Sequence, residues 1–453
     1  MERLFKHRYF LLTLQFVSLF VFALIIYGSI GIYTDNPDFA KVLRNTNLAN
    51  LLVWSYWWPI IIVSAILFGR LWCSVCPIEL VTSFFSKIGL RKRPNAFIKS
   101  GWVITLFYAV ILIIGIHTLA IHRIPQYMAF YMLILFAVAV IVGLIWEKRT
   151  FCTYVCPVGH LLGLYSLLSF KGLSVKSKDV CNTCKTKDCI SKSNHYKLIG
   201  RSCTSELYPA TITNNKDCIL CGQCFKSCTK DNITIKNKWL SADLYTNIKL
   251  SWAEIYFFIM LSSFVIYEIL SEWKVTKEIL LYVPKTLAQV FDLNPEYFGT
   301  LKAVLLFIVM PSIFYFLFAI LKKLSSKADL KEIYTKLVLI ILPLTASMHL
   351  FKALLKTTSR IPYWEYVFGD SEGIETANYI ISDKAYLHKD ILVSLSPIIS
   401  VLAVVLIIGG IIISFNLINK QKEDNNISKL ISIIAVLLYA SMFFITIIAW
   451  RFL

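Results

Sequence analysis

Cysteines are the most informative residues of this 453-residue chain, which has twelve of them and none beyond Cys228. Four form the run Cys218-x2-Cys221-x2-Cys224-x3-Cys228. Three thiols two residues apart can wrap three corners of a [4Fe–4S] cluster, and in two-cluster ferredoxins the displaced fourth thiol ligates the other cluster. Gly222 suits the tight turn of such a loop. The run therefore predicts a ferredoxin-like iron–sulfur site.

A second run supplies the partner that Cys228 would need. It is Cys181-x2-Cys184-x4-Cys189, and Cys203 follows it at a distance. The alternative metal is zinc, which C-x2-C knuckles also bind. The 2-2-3 spacing of the downstream run favours iron–sulfur clusters over zinc. Crossed ligation of two [4Fe–4S] clusters uses all eight thiols, with one cluster on Cys181, Cys184, Cys189 and Cys228 and the other on Cys203, Cys218, Cys221 and Cys224.

Two further cysteine pairs each end in a Cys-Pro step: Cys73-x2-Cys76 and Cys152-x3-Cys156. They belong to an internal repeat, in which residues 69–90 resemble residues 148–173. Parallel repeats are related by an axis along the membrane normal, so we expect the four thiols to converge at the cytoplasmic boundary. Such a site would hold a third cluster or another soft metal ion. A redox-active dithiol and a structural role are the alternatives.

Apolar blocks organise the rest of the chain, 57% of which is hydrophobic. A spanning helix needs about 20 mostly apolar residues. Nine stretches meet this requirement, at residues 9–32, 51–68, 101–121, 128–146, 252–271, 300–321, 337–356, 391–418 and 428–450. We therefore predict a polytopic α-helical membrane protein with a small two-cluster ferredoxin-like domain inserted between spans four and five. Its predicted domains are a four-span repeat at 1–170, the cluster domain at 171–250 and a five-span domain at 251–453.

The charge distribution indicates how the chain is oriented. Segment 171–250 carries 14 Lys and Arg against six Asp and Glu, whereas the loop 357–390 carries three against six. Because basic loops remain on the cytoplasmic side, we expect the N-terminus and the cluster domain to face the cytoplasm of a bacterial inner membrane. The same rule accounts for the net charge of +19 without nucleic acid as a partner.

Over about residues 9–235 the sequence resembles the NapH-type and NosR-type membrane polyferredoxins of nitrate and nitrous-oxide respiration. The motifs are Gly69-Arg70-Leu71-Trp72-Cys73, Arg149-Thr150-Phe151-Cys152 and the eight ferredoxin-like cysteines. The resemblance implies electron transfer between quinone or cytoplasmic donors and periplasmic redox enzymes. The spacing of the first Cys-Pro pair and of the Cys189 run departs from the family pattern, and the last five spans have no counterpart in NapH-type proteins.

The C-terminal half lacks cysteine, so any cofactor there would need other ligands. A histidine in a membrane span is a functional candidate, and a haem b or a quinone could use His349, His388 or His117. A hydrogen bond to a neighbouring helix is the alternative. The long loop 357–390 offers candidates for partner docking, with a solvated cap as the alternative: Arg360, Trp364, Glu365 and Asp370.

These features predict a membrane-bound electron-transfer protein that is a component of a redox chain rather than a complete enzyme. Its expected partners are membrane lipid, a quinone and a redox protein in the membrane or periplasm. One alternative is a copper-handling assembly factor that uses the four thiols of the Cys-Pro motifs. Another is a transporter whose clusters report redox state. The sequence has neither a P-loop nor a dinucleotide-binding glycine fingerprint.

Overall fold

A computed structural model describes residues 2–382, 384, 387–421 and 425–452, which are mostly helical. Within these residues eight helices are long and apolar enough to cross a membrane: Phe10–Tyr27, Leu48–Phe68, Pro125–Ile145, Trp252–Leu270, Pro295–Ser325, Leu330–Val367, Asp390–Lys420 and Asn426–Phe452. They match eight of the nine predicted spans. The chain is therefore a multi-pass helical membrane protein.

The third predicted span, at 101–121, corresponds to a shorter apolar helix, Trp102–Ile116. The chain turns soon after this helix, where Ala120 adopts a φ of 50° that is incompatible with a right-handed helix. The count of nine spans stays a prediction, and so does the orientation that depends on it.

Shorter helices connect the spans or lie in the cysteine-rich segment: Glu2–Lys6, Pro37–Thr46, Pro77–Ile88, Ala96–Lys99, Gly159–Ser166, Lys178–Asn182, Gln223–Ser227, Lys274–Val290 and Ile374–Ile381. Single helical turns occur at Arg70–Ser74, Phe151–Val155, Lys192–Asn194, Pro209–Thr211 and Ala242–Tyr245. The amphipathic helix Lys274–Val290 was not predicted, because a search for continuous apolar runs overlooks it. Its exposed apolar side chains, such as Ile279 and Tyr282, are typical of helices that lie in a membrane interface.

Two strands flank the ferredoxin-like cysteines. Strand β1, Lys171–Val175, pairs antiparallel with strand β2, Ile233–Asn237, so that Leu173 lies opposite Ile235. Neither strand was predicted, because five residues give too short an alternation to recognise. Pairing of the two strands brings the ends of the intervening segment together, which makes the cysteine-rich segment one closed loop.

The N-terminal helix Glu2–Lys6 packs on this closed loop. The Glu2 carboxylate accepts a hydrogen bond of 2.9 Å from the backbone N–H of Ile235. The Phe5 ring stacks on Phe225 with their centroids 5.8 Å apart. Both rings belong to a buried core that also contains two of the ferredoxin-like cysteines, Cys181 and Cys218.

Contacts divide the chain into two compact units. The first comprises Met1–Ile30, Ile61–Ile104 and Met128–Thr246, and the second comprises Gly31–Ile60, Thr105–Tyr127 and Asn247–Leu453. In the second unit the long helix Leu330–Thr358 packs against three others, Trp252–Leu270, Asp390–Lys420 and Asn426–Phe452. All twelve cysteines belong to the first unit. The boundaries of the three predicted domains remain a prediction.

Candidate metal centre

One cavity of the first unit is lined by four cysteines, Cys181, Cys184, Cys189 and Cys228. Burial first, and then the charges of Cys228 and Cys181, raise the pKa of Cys189 to about 11. Cys228 thus lies with the three upstream cysteines, although it belongs to the downstream run.

Hydrogen-bond donors surround these sulfur atoms. Asn232 donates its backbone N–H to Cys228 Sγ at 3.4 Å and its side-chain Nδ2 to Cys181 Sγ at 3.1 Å. A backbone hydrogen bond from Lys187 is the main cause of a lowered pKa at Cys184. Such donors stabilise the thiolate, which is the form that ligates a metal.

The remaining four ferredoxin-like cysteines form a second group. Burial raises the pKa of Cys218 to about 12, with smaller contributions from Cys221 and Cys203. Burial also raises the pKa of Cys224 well above its usual value, and Cys221, Cys218, Cys203 and Cys189 all add to that shift. Because Cys189 belongs to the first group, the two groups are neighbours.

The loop that carries the second group has an unusual backbone. Leu220 and Gly222 have φ values of +46° and +66°, in the left-handed region that favours glycine. The helix Gln223–Ser227 begins directly after Gly222. These left-handed residues turn the chain sharply between the cysteines, as expected of a loop that wraps a cluster.

The four thiols of the Cys-Pro motifs also come together. Burial raises the pKa of Cys156 to about 11, and Cys73 contributes next. Burial likewise raises the pKa of Cys76, to which Cys73 and Cys156 add. Burial is the largest cause of a raised pKa at Cys152 too, with additions from Cys156 and Cys76. The two halves of the repeat therefore contribute thiols to one place.

Two arginines, one from each half of the repeat, lie beside these thiols. Arg70 interacts electrostatically with Cys73 and Cys156, and it donates a hydrogen bond to the former. Arg149, which is 1% exposed, interacts with Cys152 of the Cys-Pro motif and with Cys221 of the second ferredoxin-like group. A single buried cation thus lies within electrostatic range of both sets of thiols.

A buried carboxylate, Glu79, binds Arg149 and a second arginine. It is 1% exposed and forms ion pairs with Arg149 and Arg201. Ser83 donates to it at 2.6 Å and Gln15 also donates to it. Burial alone would raise the pKa of Glu79, but the two arginines and the hydrogen bonds hold that pKa at about 2.

The residues present fit iron–sulfur clusters. The four cysteines of the first group line one cavity, and buried N–H groups without a partner among the described residues occur at Arg70 Nε, Arg149 Nε and Arg149 Nη1. Buried donors need acceptors, and cluster sulfurs accept hydrogen bonds. As the described side chains stand, no three His, Cys, Asp or Glu residues are gathered tightly enough for a single metal ion. A cubane takes one thiolate at each corner, so its ligands stand further apart.

The predicted histidines lie in the second unit. His349 is buried, with its ring 6.3 Å from that of Phe264, and the His117 ring packs 4.8 Å from Phe307. Both histidines lie within electrostatic range of Glu268. His388 precedes the helix Asp390–Lys420. A haem or quinone at these histidines remains a prediction.

Two of the predicted docking residues have internal roles instead. Trp364 donates to the Tyr56 hydroxyl at 2.5 Å. Asp370 accepts hydrogen bonds from the backbone N–H groups of Gly373 and Thr376. These contacts favour a packed cap over a free docking loop.

Glu79, Arg201 and Asn232 were not recognised from the sequence. Glu79 offered a signal, since it is the one acidic residue of the otherwise uncharged stretch Pro77–Ser86. Arg201 and Asn232 offered none, because their partners are distant in sequence.

Comparison with known proteins agrees with this geometry. A family model described as a 4Fe-4S binding domain matches twice, at residues 50–95 and 128–173. These stretches contain the two Cys-Pro motifs, so one domain description matches both halves of the repeat. The fold and the matches together define a multi-pass membrane protein with iron–sulfur binding motifs.

Two curated proteins are similar to parts of the chain. The ferredoxin-type protein NapH of Escherichia coli is 28% identical over 94 residues, which is 21% of this chain and 32% of NapH. An uncharacterized protein of Methanocaldococcus jannaschii is 26% identical over 178 residues, which is 38% of this chain and 66% of that protein. The chain thus spans about a third of one relative and just under two thirds of the other. The resemblance to NapH-type polyferredoxins is confirmed. No solved structure matches the chain.

Replacing Gly222 with alanine should destabilise the loop of the second cysteine group. A left-handed conformation costs alanine about 1 kcal/mol, and the new Cβ would lie 2.3 Å from Phe5 Cδ1. We expect a lower melting temperature and less iron per chain. Gly409→Ala is the control, since a Cβ at Gly409 meets nothing within 4 Å. Equal iron content in the two variants would contradict the assigned role of this turn.

Replacing Glu79 with glutamine should destabilise the first unit strongly. The change keeps the shape of the side chain but leaves Arg149 and Arg201 buried without their countercharge, and breaking a buried ion pair costs roughly 3 kcal/mol or more. The exposed Glu278 provides the control, Glu278→Gln. Thermal unfolding in detergent is the measurement. The ion-pair argument fails if both variants unfold at the same temperature.

Proposed function

We propose that this protein transfers electrons at the cytoplasmic face of a bacterial inner membrane, between a cytoplasmic or quinone donor and a redox protein of the membrane or periplasm. Two [4Fe–4S] clusters would be held by the two ferredoxin-like cysteine groups, and a third centre by the Cys-Pro thiols. When bound, such clusters accept and release single electrons. The ferredoxin-type name of one relative and the twofold match to a 4Fe-4S binding domain support the proposal.

The observation that carries the proposal is that the three cysteine groups are neighbours. The third group consists of the four thiols of the Cys-Pro motifs. Cys189 of the first group lies within electrostatic range of Cys224 of the second. Arg149 lies within range of Cys221 of the second group and Cys152 of the third. A series of neighbouring redox sites is the arrangement that stepwise electron transfer requires.

The protein's own residues would tune these sites through charge and hydrogen bonding. Arg70 and Arg149 place positive charge beside the thiolates, and such charge favours the more negative, reduced form of a cluster. Glu79 offsets part of that charge on the side of Arg149 only. We therefore infer that the potential of the Cys-Pro centre depends on this carboxylate as well as on its cysteines.

Elemental analysis of the anaerobically purified protein tests the proposal. We expect about twelve irons and twelve acid-labile sulfides per chain for three [4Fe–4S] clusters. The variant Cys73→Ser combined with Cys152→Ser should retain about eight of each, because only the Cys-Pro centre loses ligands. Cys181→Ser is the matched control, and it should lose iron from the first cysteine group while the Cys-Pro centre keeps its own.

Other outcomes of the same analysis are equally informative. Unchanged iron and unchanged electron transfer in the double variant would remove the Cys-Pro centre from the proposal. Copper that disappears in that variant would favour the copper-handling alternative, since soft thiolates suit Cu(I). Zinc in place of iron throughout would overturn the electron-transfer function. The haem content, measured in the same samples, tests the histidine prediction.

A further inference from the structure

Four basic side chains come together in the second unit. Arg44 lies within electrostatic range of Arg360 and Arg123. His122 lies within range of Arg123, Lys356 and Arg44. These residues come from separate segments: the helix Pro37–Thr46, the connection 117–124 and the end of the span Leu330–Val367. We call Arg44, Arg123, Lys356 and Arg360 the basic cluster.

The charge of the basic cluster is not balanced by the described part of the chain. Glu268 is the acidic residue within range of both Arg44 and Lys356, but it lies 3.6 Å from Lys352. Glu272 lies within electrostatic range of Arg360, but it pairs with Lys352 as well. Among the described residues, no carboxylate lies within 4 Å of a basic-cluster nitrogen. Mutual repulsion among partly buried cations destabilises the unit unless an anion relieves it.

The basic cluster and its surroundings also contain buried hydrogen-bond donors that have no acceptor among the described residues. The Nε atoms of Arg44 and Arg360 and the Nε1 atom of Trp54 are buried and have no acceptor among the described residues. The Trp54 ring lies beside the basic cluster, since Lys356 Nζ is 5.8 Å from its centroid. Guanidinium and indole N–H groups only donate. The ligand they lack must therefore offer acceptor atoms.

His122 adds a fourth donor whose tautomer the structure determines. Arg123 Nε donates to His122 Nε2 at 3.2 Å, so Nε2 is the unprotonated nitrogen. Burial, and then the charges of Arg123 and Lys356, lower the pKa of His122 well below its usual value and keep the ring neutral. The proton of the neutral ring consequently lies on Nδ1, which is buried without an acceptor among the described residues.

The backbone around the basic cluster is firmly held. Asn50 donates to the backbone oxygen atoms of Arg44 and His122. Thr357 donates to the Ser55 oxygen at 2.8 Å. The donors are therefore held in place before any ligand arrives, and preorganisation of this kind favours binding.

We propose that the basic cluster, with Trp54 and His122, is a binding site for a phosphate-class oxyanion, presented as a phospholipid headgroup or as free phosphate. The planar guanidinium of arginine can donate two parallel N–H groups to two oxygen atoms of one phosphate. A metal cation is disfavoured by the positive charge, and an uncharged carbonyl compound would leave that charge unbalanced. The site is independent of the iron–sulfur function proposed above.

The test uses the full-length protein with its clusters, delipidated in a neutral detergent. Inorganic phosphate at constant ionic strength is titrated against the wild type and against Arg44→Gln combined with Arg360→Gln. We expect phosphate to raise the melting temperature of the wild type, and its affinity to fall about tenfold or more in the double variant, because two charge-assisted donors are lost. The exposed Arg93→Gln is the matched control and should behave as the wild type.

A second arm distinguishes the two sources of phosphate. The same proteins are placed in nanodiscs of phosphatidylcholine with or without phosphatidylglycerol, and bound lipid is counted by native mass spectrometry. Retention of phosphatidylglycerol by the wild type but not by the double variant identifies a headgroup site. Protection by inorganic phosphate without lipid retention identifies a site for free phosphate.

Two results would overturn the proposal. One is that neither phosphate nor phosphatidylglycerol binds the wild type more tightly than the double variant. The other is that phosphate protects the wild type but protects Arg44→Gln and Arg360→Gln, tested singly, to the same extent as the wild type. Since loss of repulsion should not unfold the ligand-free protein, a far-ultraviolet circular dichroism spectrum equal to that of the wild type shows that the variants are folded.

Discussion

One buried carboxylate connects four parts of the first unit. Glu79, in the first half of the repeat, binds Arg149 of the second half, Arg201 of the ferredoxin-like segment and Gln15 of the first span. Charges this deeply buried are tolerated only when they are paired and hydrogen-bonded. A shift of the second half of the repeat or of the ferredoxin-like segment would separate a buried arginine from its countercharge. The mutual placement of the cysteine groups, and hence any transfer of electrons among them, depends on this network.

The same network breaks the symmetry of the repeat. Counting from Cys76 and Cys156, the positions of Glu79 and Ser83 are occupied in the second half by Gly159 and Gly163. A Cβ at Gly163 would lie 3.0 Å from the backbone oxygen of Lys216, which accepts a hydrogen bond from Arg70. Gly163 thus leaves room for the backbone of the ferredoxin-like segment beside the second half of the repeat. Glu79, in the first half, binds Arg201 of the same segment. Two similar halves therefore hold one asymmetric domain: Arg149 forms a buried ion pair with Glu79, whereas Arg70 has Asp217 within electrostatic range.

Sequence reasoning succeeded where the signal is local and failed where it depends on distant partners. The long apolar runs predicted nine spans, and eight of them correspond to helices long enough to cross a membrane, because a helix in lipid must satisfy its backbone internally over an uninterrupted run. The cysteine spacings suggested which thiols would meet, and Cys228 does lie with Cys181, Cys184 and Cys189. Glu79 and Arg201 lie 122 positions apart, and Arg44 and Arg360 are more distant still. Tertiary contacts alone bring such pairs together, so no periodicity or motif could have predicted them.

Both units contain buried hydrogen-bond donors that have no partner among the described residues. In the first unit the N–H groups of Arg70 and Arg149 have thiols as neighbours, and clusters bound there would supply the acceptors. In the second unit the N–H groups of Arg44, Arg360 and Trp54 are buried without an acceptor among the described residues. A buried donor costs free energy until something accepts its proton. None of the described residues supplies an acceptor for the second set, and the positive charge around these donors favours an anion in that role.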